Sequence, residues 1–390
     1  MASAALSGFV VMGVFWGAWA ALVPEIQSRI DATPPQLGAA LLWAGAGALP
    51  AMIVTGRLWA RYGRSLLPAT LLLFGLSAVG PAVAGDVAQL AVSLALVGAA
   101  SGALDVAMNA RISEIEATSG RRLMFFAHAL FSLAVLLASI SVGLLRSAGI
   151  GALPVLASVA TVFLVLAVLA LLGDRGRLAP AASAASASGV RALLERRRSI
   201  LLLGLLCAGA FLIEDGMISW SALHLERSLG ADPAVGGAGP GLFAGAMFVG
   251  RAAGQLVTVR LGDRAVLVAA GLLGAAGIGL TSIAPDAPLA LAGLVIAGLG
   301  ISLIAPALFS RAGRLAGDRS RGAAIAGLTA FGYLGFVVGP PIVGLLAGVA
   351  DLRVSFAALA GLAAAISLAS WLSLRGDIAG AGELPPVARA

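Results

Sequence analysis

The chain has no lysine: all 25 basic residues among its 390 are arginine. A phosphate loop of the G-x-x-x-x-G-K-[ST] kind and Schiff-base chemistry both need the missing amine. ATP hydrolysis by that route is excluded, so uphill work must draw on an ion gradient or a separate ATPase. Cysteine is almost absent too. Cys207 stands alone, which excludes an internal disulfide and any cysteine-rich metal site. Only His128 and His224 are present, too few for a catalytic zinc centre, and neither metal nor other cofactor is expected. No nucleophile–base pair is visible, so the chain is not expected to be an enzyme. Charge is scarce as well, at 11% of residues against roughly 25% in a soluble domain.

What is present is apolar. Hydrophobic residues make up 60% of the chain and glycine adds 52 positions. Runs of ~20 apolar residues recur along the whole length, enough for a helix to cross a bilayer core ~30 Å thick. The fold class expected is therefore an all-α membrane protein. Twelve helices are predicted near 7–24, 36–56, 65–84, 88–110, 123–145, 152–173, 200–224, 237–259, 265–284, 288–310, 322–348 and 354–374. Ala18-Trp19-Ala20 is similar to a signal-peptidase site, but no basic residue precedes it, so the first helix is read as retained.

The arginines order these helices. One set of alternate loops and ends carries twenty of them, and the other carries only Arg29, Arg146, Arg227 and Arg353; Arg251 lies inside a helix. This bias predicts a multi-pass protein of the plasma (inner) membrane with both termini cytoplasmic. The net charge of +7 does not point to nucleic acid, because the arginines sit in short loops without a continuous basic face.

The longest connection, 174–199, is rich in alanine and serine and ends in Glu195-Arg196-Arg197-Arg198, the composition of a flexible linker with a basic anchor. It divides the chain into a six-helix bundle at 1–173 and another at 200–374, followed by a cytoplasmic tail at 375–390. The halves echo each other at an offset near 199. Ala32-Thr33-Pro34-Pro35 returns as Ala231-Asp232-Pro233-Ala234, Arg61-Tyr62-Gly63-Arg64 as Arg260-Leu261-Gly262-Asp263-Arg264, and Arg111 as Arg311. Duplicated halves with a site at their interface are the plan of secondary transporters.

On these features the chain resembles the major facilitator superfamily over essentially its whole length. Gly56-Arg57-Leu58-Trp59-Ala60-Arg61-Tyr62-Gly63-Arg64 is similar to that family's loop motif G-x-L-x-D-R-x-G-R, with Ala60 in place of the aspartate and Val259 at the second-half counterpart. Leu104-Asp105-Val106-Ala107-Met108-Asn109-Ala110, His128-Ala129-Leu130-Phe131-Ser132, Trp220-Ser221-Ala222 and Gly332-Tyr333-Leu334-Gly335-Phe336 resemble the bacterial fucose/proton symporter branch. The resemblance implies two pseudo-symmetric six-helix bundles, and a proton-coupling role for Asp105, which stands at the place of that branch's helix-4 acid. The branch's helix-1 acid is missing, with Ala20 at the nearest position. The Gly-Pro motif of many antiporters is absent from helix 5, although Gly339-Pro340 occurs in helix 11.

Ionisable groups in hydrocarbon are costly, so each is a candidate for function. Asp105 lies six residues, ~9 Å, inside helix 4 from Arg111. Asn109, one turn on, is placed to donate a hydrogen bond to its carboxylate. Coupling and a purely structural acid are both open for Asp105. Glu214 and Asp215 are neighbours in helix 7 and point ~100° apart. Either can hydrogen-bond substrate or carry a proton, and pairing with Arg251 is the structural alternative. Arg251 is expected as an ion-pair or gating residue, together with Arg61 and Arg64 of the loop motif. His128 is a candidate relay or substrate contact, or a packing histidine; His224 is expected at an exposed interface and Glu25 in water. Trp16, Trp19 and Trp220 lie on the helices that line the cavity in the resembled family. Each is a candidate for stacking on substrate or for a lipid-facing position.

The function expected is secondary active transport by alternating access, with proton-coupled symport of a small polar solute such as a sugar as the leading reading. Proton-driven efflux of amphipathic or cationic compounds is the alternative. A sensor or scaffold ranks lower, since no sizeable soluble domain is present. The partners expected are the solute, protons and the lipid bilayer, with the protein a monomer and no nucleic acid involved.

Overall fold

A computed structural model describes residues 2–119, 123–173, 197–316 and 321–373. The expected linker 174–199 lies outside the described residues up to position 196, as does the tail 375–390. All the regular structure among the described residues is helical. The helices are α1 (Ala2–Arg29), α2 (Pro34–Tyr62), α3 (Leu66–Ser77), α4 (Gly80–Val83), α5 (Val87–Ser119), α6 (Met124–Ser147) and α7 (Ala152–Gly173). After the undescribed stretch come α8 (Arg197–Leu223), α9 (Pro233–Ile283), α10 (Ala287–Ile301), α11 (Ile304–Ala316), α12 (Arg321–Val349) and α13 (Leu352–Ser373).

Eleven stretches among the described residues are long and apolar enough to cross a membrane. The expected spans 237–259 and 265–284 both fall within α9, which turns sharply at Gly262 (φ 74°, ψ 160°). The arm before this turn is the one not among the eleven. Two other spans are each split. The third is α3 plus α4, and the tenth is α10 plus α11, broken at Ser302–Leu303. Pro306 explains the second break, since it has no N–H to offer the Ser302 carbonyl four residues back.

Helix starts on the arginine-poor face show the repeat as local chemistry. Thr33 caps α2 through a reciprocal pair with Gln36, and Asp232 caps α9 by accepting from the Ala234 amide; a proline follows each cap. Asp286 likewise caps α10.

The surface is as apolar as the interior. Leu76, Val92, Leu96, Leu137, Val168 and Leu169 are all more than half exposed, on the outer faces of their helices. When the surroundings are as greasy as the core, helix association depends on close packing of small residues. Here α2 and α5 meet through Gly47 on the Ala95 backbone and Gly98 on the Ala44 backbone. A Cβ at Gly98 would overlap the Ala44 carbonyl oxygen. The helices before the undescribed stretch meet those after it mainly through α2 with α12 and α6 with α9. In the second pair, Gly143 and Gly237 sit backbone to backbone.

Gly98→Leu should therefore force α5 away from α2. We expect a loss of about 2 kcal/mol or more, read as a lower unfolding temperature of the purified protein in detergent. The same change at Gly279, which has nothing within 4 Å of an added Cβ, should leave that temperature nearly unchanged.

Candidate functional site

A cavity of ≈ 3090 Å³ lies between the two groups of helices. Its walls come from α1, α2, α5 and α6 on one side and from α8, α9, α11 and α12 on the other. It runs from Trp19 and Gly98 to Arg260, Arg264, Arg311 and Arg314 at the arginine-rich face, so its volume includes an open vestibule.

Asp105 is on this wall, and the tight α2–α5 seam is what points it there. Asn109 donates to its Oδ1 at 2.9 Å, as the one-turn spacing predicts, and also to its backbone carbonyl at 2.8 Å. The phenol of Tyr333, on α12 across the cavity, donates to Oδ2 at 3.3 Å. The two carboxylate oxygens are thus held by opposite sides of the cavity. Tyr333 stands in the Gly332–Phe336 stretch that carries part of the family resemblance, but nothing in the sequence gives it a site role.

Glu214 and Asp215 both line the cavity and have different partners. Arg251 Nη2 lies 3.0 Å and 3.1 Å from the two carboxylate oxygens of Glu214. Asp215 accepts instead from the Ser219 hydroxyl at 3.3 Å. The pairing weighed for Arg251 therefore exists, tying α8 to α9, and it neutralises one acid while leaving Asp105 and Asp215 with neutral donors. Arg251 is the more exposed partner, at 38% against 14% for Glu214.

The remaining expected residues divide. Trp16 and His128 line the cavity; the Trp16 indole N–H donates to Ser101 Oγ at 3.2 Å, and His128 sits edge-on to Phe9. Trp19 closes the deep end and is 2% exposed. Trp220 does not line the cavity. It is completely buried against Gly344 of α12, because its position on α8 faces the seam rather than the opening. His224 is also buried rather than exposed. The chain makes a π-helical turn at His224–Ser228, and the ring meets the Thr281 carbonyl at 3.1 Å. Arg61 is exposed, lies over the Tyr62 ring, and forms no ion pair among the described residues. The side chain of Arg64 lies outside the described ones.

The far end of the cavity is shut by a cluster the sequence reading missed. Arg146, at the end of α6, is 7% exposed. Its Nη2 donates to Glu226 at 3.0 Å, its Nη1 to the Ala21 carbonyl at 2.7 Å, and its Nε lies 3.5 Å from Glu25. Glu25 does not simply meet water; it also accepts from the Ala152 amide at 2.7 Å, capping α7 from another helix. Around this cluster, Ser147 donates to Asp232, Arg227 to Ser28, and Ser139 to the Gly237 carbonyl. Asp232 lies at the surface, where the Ser147 hydroxyl and the Ala234 amide hold its carboxyl below the ordinary value. Glu25 and Glu226 stand at nearly the repeat distance, which is the sign of the cluster that the sequence did carry.

Comparison with known proteins agrees with this architecture. The family profile described as Major Facilitator Superfamily matches residues 4–262 and 215–388. An uncharacterized MFS-type transporter of Yersinia pestis is 32% identical over 355 residues, covering 90% of each chain. The uncharacterized transporter y4wD of Sinorhizobium fredii is 31% identical, covering 92% of this chain and 94% of that one. Among solved structures, the nucleoside transporter NupG (D323A mutant) superposes with a TM-score of 0.82 at 12% identity, over 95% of this chain and 98% of the other.

The Arg146 cluster gives a direct test. Spin labels at Ile150 and Val349 would sit on the closed face, one on each side of the cavity, in a Cys207→Ala background. Removing one member of a buried ion pair costs about 3–5 kcal/mol, so Arg146→Ala should shift the label pair from its short to its long distance. Glu226→Gln should shift it less, because the amide oxygen can still accept from Arg146 across the gap, whereas Glu25 lies on the arginine's own side.

Proposed function

The chain belongs to the Major Facilitator Superfamily, and for a member with this cavity we propose proton-coupled symport of a small, polar, uncharged solute such as a sugar. The observation that carries the reading is the setting of Asp105. It is a carboxylate on the wall of an open cavity, held by two neutral donors from opposite sides and, among the described residues, by no cation. A carboxyl without a fixed counter-charge can take up and give off a proton. Glu214 is instead paired with Arg251, so Asp105 is assigned the coupling proton and Glu214 a place in the substrate wall as half of an ion pair.

Substrate contacts are assigned to the polar groups at the same depth, Asn109, Asp215 and His128, with the indole faces of Trp16 and Trp19 for C–H surfaces. Beside these acids the arginine is Arg251, already paired with Glu214, and the other lining arginines stand at the mouth, which makes an anionic substrate a poor fit. The working cycle is alternating access by a monomer in the inner membrane, with both termini and the arginine-rich face cytoplasmic. In that orientation the described state is open inward, and the Arg146 cluster is the outer closure. Membership of the fucose/proton symporter branch belongs to this proposal.

One observation favours a second reading, efflux of amphipathic cations. Met12, Met52, Met108, Met124 and Met247 line the cavity with several phenylalanines, a deformable apolar surface around two carboxylates that lack a cation.

Proteoliposomes with an imposed proton gradient separate the two. A panel of sugars should accumulate under an inward proton gradient, and cationic dyes should not be expelled; the opposite pattern supports efflux. Asp105→Asn should abolish gradient-driven accumulation while substrate exchange continues. Unchanged accumulation in that variant removes Asp105 from the mechanism.

A further inference from the structure

The bond between Tyr333 and Asp105 joins two rigidly mounted elements. Asp105 belongs to α5, which is set against α2 by close backbone contacts at Gly98, Gly102 and Gly47. Tyr333 belongs to α12, which is set against α8 in the same way: Gly332 packs on the Phe211 ring and Gly335 on the Ala208 backbone. Neither side chain can follow the other by a small shift of its own helix. Between them lies the boundary of the two groups of helices. The groups touch along α2 and α12 at Gly38–Pro340 and Gly45–Val337. Tyr333 lies seven residues, ~10 Å, from Pro340 toward the open face. A rocking motion about the α2–α12 contact therefore changes the distance between Tyr333 and Asp105. At 3.3 Å the O–H···O contact is already long, so a further ångström of separation ends it.

The bond also depends on the proton. An ionised carboxylate accepts a hydrogen bond about twice as strong as a neutral acceptor does. Protonation of Asp105 weakens or reverses the bond, and Tyr333 then loses its hold on the opposite group. The other ionisable groups facing the same space are His128 on α6, Glu214 and Asp215 on α8, and Arg251 on α9, with Arg260, Asp263, Arg264, Arg311 and Arg314 at the mouth. Among the described residues, Tyr333 alone hydrogen-bonds Asp105 from the far side of the cavity.

We propose that Tyr333 is the positioning residue that couples the protonation of Asp105 to the orientation of the two helix groups. Its hydroxyl favours the described arrangement more strongly when Asp105 is ionised than when it is protonated. The sign follows by linkage. The arrangement that contains the bond favours the ionised acid, so raising the pH populates it, and lowering the pH releases it. The inference rests on the assignment of Asp105 as the proton site and adds how that proton is felt across the cavity.

The test needs no substrate. The Ile150/Val349 spin-label pair in the Cys207→Ala background reports closure of the face opposite the arginine-rich loops, measured from about pH 5 to about pH 8. The parent protein should gain the short distance as pH rises, its short-to-long ratio changing about fivefold or more, the lower end of ordinary coupling between sites. Tyr333→Phe removes only the hydroxyl and should reduce that change to less than about twofold, with both distances still populated. Asp105→Asn should flatten the response equally, and the double variant should flatten it no further. A Tyr333→Phe protein that keeps the parental response while Asp105→Asn loses it overturns this inference alone. If Asp105→Asn keeps the response as well, the proton site itself is misassigned and both readings fall. A short distance favoured by low pH in the parent overturns the sign of the linkage and with it the proposed role.

Discussion

A charge in hydrocarbon must be paired, hydrated or neutralised, and the architecture of this protein is organised around that constraint. Its helices are long, apolar and almost free of ionisable groups, and the exceptions fall into a few settings. Arg251 and Glu214 neutralise each other beside the cavity. Arg146 is enclosed by two carboxylates and a backbone carbonyl where the cavity ends. Among the described residues, Asp105 and Asp215 have only neutral donors, and both open onto the cavity. The difference matters for function, because a clamped charge holds helices together, whereas an acid with no fixed counter-charge is free to exchange its proton.

The second constraint is the lack of a hydrophobic drive between helices that already sit in lipid. Glycines supply contact in its place. The α2–α5 seam at Gly47 and Gly98 fixes one wall of the cavity, and the α8–α12 seam at Gly332 and Gly335 fixes the other. The same device recurs where the two walls meet, at Gly38 against Pro340 and at Gly143 against Gly237. Between the walls the close contacts are concentrated in α2 with α12 and α6 with α9, which leaves two rigid groups a line about which to turn.

The two ends of the cavity are closed by different physics. At the arginine-poor face, a buried ion cluster and several cross-cavity hydrogen bonds converge on the ends of α1, α6 and α8 and on the start of α9. At the arginine-rich face the walls stand apart, and the guanidinium groups line a mouth instead of a seal. Asp263 pairs with Arg314 within the second group of helices, so this contact does not bridge the gap. The closure visible in this state is therefore an electrostatic one, on the arginine-poor face.

The sequence alone was enough to read the membrane class, the helix content and most span positions, because hydropathy and the cost of unsatisfied backbone in lipid depend on local composition. It also identified the Asp105–Asn109 pair, whose spacing lies within one helix. The two expected spans 237–259 and 265–284 are the two arms of α9, parted at Gly262, whose backbone is not helical. Tertiary structure decided everything that depends on which way a helix faces. It turned Trp220 and His224 into packed seams, gave Arg251 to Glu214 rather than Asp215, used Glu25 to cap a distant helix and brought Tyr333 to Asp105 from 228 residues away. A helix of 3.6 residues per turn presents every residue to some neighbour. Which neighbour it meets is set by helix rotation and crossing, and those are properties of the assembled bundle.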